Sequence, residues 1–187
     1  LSERFSDEAM GGPRLLGDRT NMTYYPGMVG LPDSAAPSMV NKSWTITASF
    51  DVPEHDANGV FVTHGGSQGG YAFYLREGVP TFVYNFLGRA RPTFTASEPL
   101  SPGAHTLVVD FAYDGGGVGK GGTITLSADG AKVAGGRIEQ TIPMKISINE
   151  GLDIGMDIGS PVDYTYDPPF AFPGSIEAVH IDLSPAN

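Results

Sequence analysis

From Ser43 the chain alternates. Trp44, Ile46, Ala48 and Phe50 are apolar, and Thr45, Thr47 and Ser49 between them are polar. A period of two sets one face of a β-strand against a core and the other against solvent. Similar runs recur. Gly59-Val-Phe-Val-Thr-His64 and Tyr71-Ala-Phe-Tyr-Leu75 read as strands, and Glu77-Gly78 turns the second into Thr81-Phe-Val-Tyr-Asn-Phe86 as a hairpin. Thr93-Phe-Thr-Ala96 is a short strand. Thr106-Leu-Val-Val-Asp-Phe-Ala-Tyr113 is the most apolar run, which predicts a place in the centre of a sheet. Asp129-Gly130, between Thr123-Ile-Thr-Leu-Ser-Ala128 and Ala131-Lys-Val-Ala134, is the strongest short hairpin signal. Ile146-Ser-Ile148, Leu152-Asp-Ile-Gly-Met-Asp-Ile158 and Ser175-Ile-Glu-Ala-Val-His-Ile-Asp-Leu183 complete the set.

No segment sustains the 3.6-residue period of an amphipathic helix. About ten short strands separated by turn signals predict an all-β sandwich or barrel. Residues 1–38 are rich in Gly, Pro, Asn and Asp without sustained periodicity, and read as a connecting arm packed on the sandwich. Residues 39–187 then form the sandwich itself.

Charge narrows the function. The formal net charge is −10, and nucleic acid binding needs a cationic surface to displace counterions, so that partner is disfavoured. There is no cysteine, which excludes disulfides, thiolate nucleophiles and cysteine-ligated zinc, but does not separate cytoplasmic from periplasmic or secreted proteins of a bacterium. No apolar run reaches the length of a membrane span. The chain opens at Leu1 with charged and small residues and no signal peptide, which predicts a domain boundary with protein continuing upstream.

The order of elements carries more than their number. The Gly-Gly-Tyr-Ala-Phe-Tyr-Leu hairpin is followed by Pro102-Gly-x-His105 entering a strand, then by Ala-Asp-Gly-Ala-Lys-Val, Ile158-Gly159 and Gly174-Ser-Ile-Glu-x-Val. This series resembles the concanavalin-like and laminin-G-like jelly rolls from about Ser43 to Leu183. The resemblance implies a jelly-roll sandwich of two antiparallel sheets. A narrower resemblance rests on Pro13-Arg-Leu-Leu-Gly-Asp-Arg-Thr-Asn21, Tyr25-Pro-Gly-Met28, Tyr84-Asn-Phe-Leu-Gly88, Asp110-Phe-Ala-Tyr-Asp-Gly-Gly-Gly-Val-Gly-Lys-Gly-Gly122 and Asp167-Pro-Pro-Phe-Ala-Phe172. Together these strings look like the C-terminal region of large bacterial arylsulfatases of the alkaline-phosphatase-like superfamily. In that family calcium and a formylglycine, made within a Cys/Ser-x-Pro-x-Arg motif, lie in an upstream catalytic domain. No such motif occurs here, so no catalytic residue carries over and no cofactor is expected in this chain.

Several constellations bear on binding. Gly115-Gly-Gly-Val-Gly-Lys-Gly-Gly122 lacks the Ser/Thr and following helix of a phosphate loop, and reads as a flexible hairpin loop. The alternative is a backbone surface that closely approaches a neighbouring domain, with Lys120 as its one charge. His64 stands at a strand end before Gly-Gly-Ser-Gln-Gly-Gly70; such a histidine is more often structural, and the sharper reading faces it to a ligand cleft or partner domain. His105 reads as packing. Tyr84, Asn85, Arg89 and Arg91 lie in or just after one strand, and paired guanidinium groups suit sulfate or carboxylate. Surface arginines paired with nearby acids remain the simpler reading. Asp153, Asp157, Asp163 and Asp167 match no calcium spacing and are expected as solvated edge and loop residues. Tyr164, Tyr166, Phe170 and Phe172, amid prolines, suggest a loop docked on the sandwich or on another domain, or a sugar-stacking platform.

Two main functions follow. The first is a non-catalytic accessory domain of a bacterial arylsulfatase. It would pack on the upstream sulfatase domain of the same polypeptide through Tyr24-Tyr25, the strand 84–91 and the loop 115–122, and shape access of a sulfated or carbohydrate substrate. The alternative is an autonomous carbohydrate-binding module of concanavalin-like fold. A structural adhesion domain is the third possibility.

Overall fold

The computed structural model describes residues 15–185, so residues 1–14 of the arm and the start of the Pro13–Asn21 string lie outside the described residues. Thirteen strands follow one another: β1 (Asn21–Tyr24), β2 (Trp44–Val52), β3 (Gly59–Gly66), β4 (Gly69–Arg76), β5 (Val79–Asn85), β6 (Thr93–Thr95), β7 (Gly103–Tyr113), β8 (Lys120–Ala128), β9 (Ala131–Gln140), β10 (Leu152–Ile154), β11 (Met156–Asp157), β12 (Phe170–Ala171) and β13 (Ser175–Leu183), with one 3-10 turn at Asp33–Ala35. One sheet runs β1-β13-β2-β7-β8-β9 and the other β11-β12-β3-β4-β5-β6, with β10 also on β3. Every pairing is antiparallel except β12 on β3. The fold is all-β, a two-sheet jelly-roll sandwich.

Alternation explains the first sheet. Along β2 the buried side chains are Trp44, Ile46, Ala48, Phe50 and Val52, and the intervening ones face outward. Strand β7 lies between β2 and β8, central as expected, yet it alternates and keeps its outer face wet. The strands buried on both faces are instead β3, β4 and β5. Their inner face meets the first sheet in an aromatic layer. Trp44 sits 5.1 Å from Phe111, 5.8 Å from Phe82 and 6.3 Å from Tyr71, ring centre to ring centre, while Phe50 lies 4.2 Å from Phe61. Emptying such a position costs roughly 3–5 kcal/mol.

The outer face of β3–β5 presents Val60, Ala72, Tyr74 and Val83, all buried beneath residues 162–170. Tyr166 stacks on Phe170 at 4.4 Å and meets Tyr74 edge-on at 5.4 Å. Two carboxylates anchor this cover. Asp163 accepts a 2.6 Å bond from the Tyr74 hydroxyl, and Asp157 accepts a 2.7 Å bond from Tyr166. Asp153, Asp157 and Asp163 are therefore buried and hydrogen-bonded, not solvated as the sequence suggested: Asp157 and Asp163 accept from the hydroxyls and backbone donors of the cover, and Asp153 accepts the Gly30 N–H of the arm. Burial pushes the Asp157 carboxyl above its usual range despite the bond from Tyr166.

Two other expectations differ. Residues 146–148 are not a strand, and Ile148 is exposed. Residues 152–158 break at Gly155 into β10 and β11, and the unpatterned arm contributes β1 to the edge of the first sheet.

The Asp129-Gly130 hairpin forms with φ of 48° and 83° at its two central residues, as a two-residue primed turn requires. A Cβ on Gly130 would meet no neighbour, so backbone strain alone decides a substitution there. Gly130→Val is expected to cost about 1–2 kcal/mol, a fall in Tm of roughly 2–8 °C for a domain of this size, while Gly130→Asn stays near wild type. Thermal melts of the three proteins check this; an unchanged valine variant contradicts the turn.

Candidate functional site

The arm shapes the main concavity. Its β1 pairs with β13 from Asn21↔Asp182 to Tyr24↔Val179. It then crosses to the second sheet, where Leu31 bridges Leu152 and the Gly30 N–H donates to Asp153 at 2.5 Å. Gly151 permits this approach, since a Cβ there would strike the Leu31 carbonyl. The Tyr24 hydroxyl, its pKa pushed up to about 12 by burial, donates to the Ala35 carbonyl at 2.9 Å and holds the 3-10 turn in place.

Asn41 then ties three segments together. Its side-chain amide donates to the Pro143 carbonyl at 2.8 Å, and its oxygen accepts the Gly119 N–H at 2.7 Å. Between the arm, the segment around residues 143–146, Val118 of the glycine loop and residues 183–185 lies a cleft of about 770 Å³. Leu16, Met22, Val40, Val118 and Ile146 give it apolar walls. Arg19, Lys42 and Lys145 place three basic groups on a lining that also carries Asp18 and Asp33.

His64 forms part of the wall. It is 2% exposed, and its Nε2 lies 3.0 Å from Asp33 Oδ1 while Lys145 Nζ lies 3.3 Å from Asp33 Oδ2. Burial would raise the Asp33 carboxyl; the bond and charge of His64, together with Lys145, outweigh it and hold the carboxyl below its usual range. His64 Nδ1 and the Tyr71 hydroxyl are buried without a hydrogen-bond partner. Burial lowers the Lys42 amine.

The other sequence candidates do not converge. Tyr84 is buried behind the cleft wall, where its hydroxyl accepts the Ile142 N–H at 2.9 Å. Asn85 is fully buried; it donates to the Gly66 and Ser67 carbonyls and accepts the Gly88 N–H. Arg89 is exposed on a turn. Arg91 donates to the Val162 and Ser67 carbonyls and lies 4.2 Å from the Tyr164 ring centre. The Arg89–Arg91 segment, between β5 and β6, lines neither the arm cleft nor the outer-face concavity: Arg91 donates to the cover loop and to the β3–β4 turn, and neither arginine pairs with an acid among the described residues. Lys120 is exposed, and its backbone, not its ammonium, does the local work by accepting from Thr141 at 2.7 Å. Asp33, Lys42, Lys145 and Arg19 had no local sequence signal.

A second, smaller concavity of about 360 Å³ lies on the outer face of the first sheet, lined by Asp51, His105, Asp129 and Glu177 among others. Its imidazole is committed to Asp129 at 2.7 Å and to the Ser101 carbonyl at 2.8 Å. Burial would lower the His105 pKa, but these two acceptors raise it overall. Among the described residues no group of three or more His, Cys, Asp or Glu side chains could hold a metal ion, and no helix is long and apolar enough to cross a membrane.

No protein-family model and no curated protein matches the chain. Solved structures do match. A "putative carbohydrate binding protein" from Bacteroides ovatus superposes with a TM-score of 0.54 at 15% identity, over 90% of this chain and 45% of that one. A heptameric SAP-like pentraxin from Limulus polyphemus gives 0.50 at 14% identity, over 90% of this chain and 79% of that one. Both superpose on the two-sheet antiparallel sandwich. At these identities the likeness concerns the fold.

Asp33→Ala should leave both ring nitrogens of the buried His64 without a partner and remove the Asp33 contact of Lys145. The expected cost is about 1–3 kcal/mol, with faster amide exchange in residues 31–36 and 143–146. Denaturant unfolding and hydrogen exchange measure both. Wild-type stability in the variant contradicts the role given to the pair.

Proposed function

We propose that the chain is a non-catalytic carbohydrate-binding module and that the arm cleft receives the saccharide. The observation that carries this reading is the cleft itself. It is large enough for a short oligosaccharide, lies at a sheet end with apolar walls, and brings hydroxyl, amide and charged groups to one concavity. The likeness to the Bacteroides ovatus protein supports the ligand class. The outer face of β3–β5, where a stacking platform would otherwise lie, is covered by the chain's own loop.

The narrower sequence resemblance adds a finer proposal: that the module accompanies a bacterial arylsulfatase, packs on its upstream domain, and leaves calcium and formylglycine chemistry to that domain. This proposal rests on sequence strings alone and draws no support from the comparisons. A Cys/Ser-x-Pro-x-Arg motif encoded upstream would favour it, and an upstream sequence lacking one would remove it.

The main reading is tested on an oligosaccharide array with the wild-type chain and Ser38→Trp. Ser38 is exposed on the cleft rim, so a bulky residue there fills the entrance without disturbing the core. The wild type is expected to bind saccharides and the variant to lose at least about tenfold in affinity, the scale of a central contact. Absence of saccharide binding, or equal binding by both proteins, contradicts the proposal.

A further inference from the structure

Resting on the reading of the cleft as a saccharide site, we propose that its ligand is an acidic oligosaccharide, whose carboxylate or sulfate is received by Lys42 and Arg19 beside the Asp33–His64 pair. Charge distribution is the first argument. The chain carries −10 overall with 11 basic residues, yet three of these line this single cleft. Asp33 is already engaged by His64 and Lys145. Lys42 and Arg19 have no ion-pair partner among the described residues.

Lys42 is also half-buried, so its ammonium loses hydration without gaining an opposite charge, a deficit that an anionic ligand relieves. The geometry around Asp33 points the same way. His64 Nε2 at 3.0 Å and Lys145 Nζ at 3.3 Å occupy both oxygens of that carboxylate, so it is already engaged where the anion would sit. Apolar flanks such as Leu16 and Met22 reduce screening and strengthen a charge pair formed between them. A neutral sugar would leave these cations unanswered.

The test uses matched pairs of probes in titration calorimetry with the whole chain. One pair is tetragalacturonate and its fully methyl-esterified form; the other is a sulfated carrageenan tetrasaccharide and its desulfated form. The acidic member of at least one pair is expected to bind about tenfold or more tighter than its neutral partner, the scale of one charge-assisted bond, and which pair discriminates separates carboxylate from sulfate. Lys42→Gln and Arg19→Gln should each erase most of that difference and flatten its salt dependence. Lys132→Gln, on β9 away from the cleft, should not. Circular dichroism melts confirm that each variant folds, and Arg19→Gln decides if Lys42→Gln does not. Equal binding of acidic and neutral members in both pairs overturns the anion site and leaves the saccharide reading standing. No binding by any of the four, with inorganic sulfate producing no chemical-shift change at His64, Lys42 or Arg19, overturns both.

Discussion

The strands β3, β4 and β5 carry large apolar side chains on both faces, and the rest of the architecture follows from having to cover each face. Phe61, Phe73 and Phe82 point into the sandwich, where the aromatic layer around Trp44 receives them. Val60, Tyr74 and Val83 point the other way, and no second sheet is available there. Residues 162–170 supply the cover, and their polar atoms must be satisfied in a dry place. The Tyr74–Asp163 and Tyr166–Asp157 bonds meet that need, and Arg91 and Arg76 fasten the loop through the Val162 and Thr165 carbonyls. Of the aromatic and acidic residues that looked most like a binding platform, Tyr166, Phe170, Asp157 and Asp163 are spent on this closure, Phe172 packs into the sandwich core, and Tyr164 stays exposed beneath Arg91.

With that face closed, the larger concavity lies beside the arm. The arm adds β1 to one sheet and then crosses to β10 of the other, so it bridges the sandwich without filling the space beside it. Asn41 fixes the far side by holding Pro143 and Gly119 at once. The resulting chemistry is assembled from distant parts of the chain. Asp33 comes from the 3-10 turn, His64 from the end of β3 and Lys145 from an irregular segment, and only the tertiary fold brings them together.

This explains what the sequence revealed and what it hid. Alternation in β2 and β13, the Glu77-Gly78 and Asp129-Gly130 turns and the Pro102-Gly-x-His105 entry are local signals, and each produced its element. Strand β1 was illegible because four residues of an edge strand carry too little pattern, and β12 because it is shorter still. Ile146 is buried against the core from a non-strand backbone, so apolarity misled there. His64 could be singled out from its place at a strand end. Arg19, Lys42 and Lys145 could not, since nothing local marks a lysine that tertiary structure will place beside a cleft. Tyr84 and Asn85 stand out in the sequence for a structural reason: each anchors a loop to a buried strand end.

The central claim is where ligand binds, and a hydrogen-exchange footprint of the chain with and without a bound oligosaccharide reads that directly. Added protection is expected in residues 16–20, 33–42 and 143–146, with residues 160–170 and the outer face of β2 and β7 unchanged. Protection confined to residues 160–170 or to that outer face, with the arm unaffected, would contradict the account.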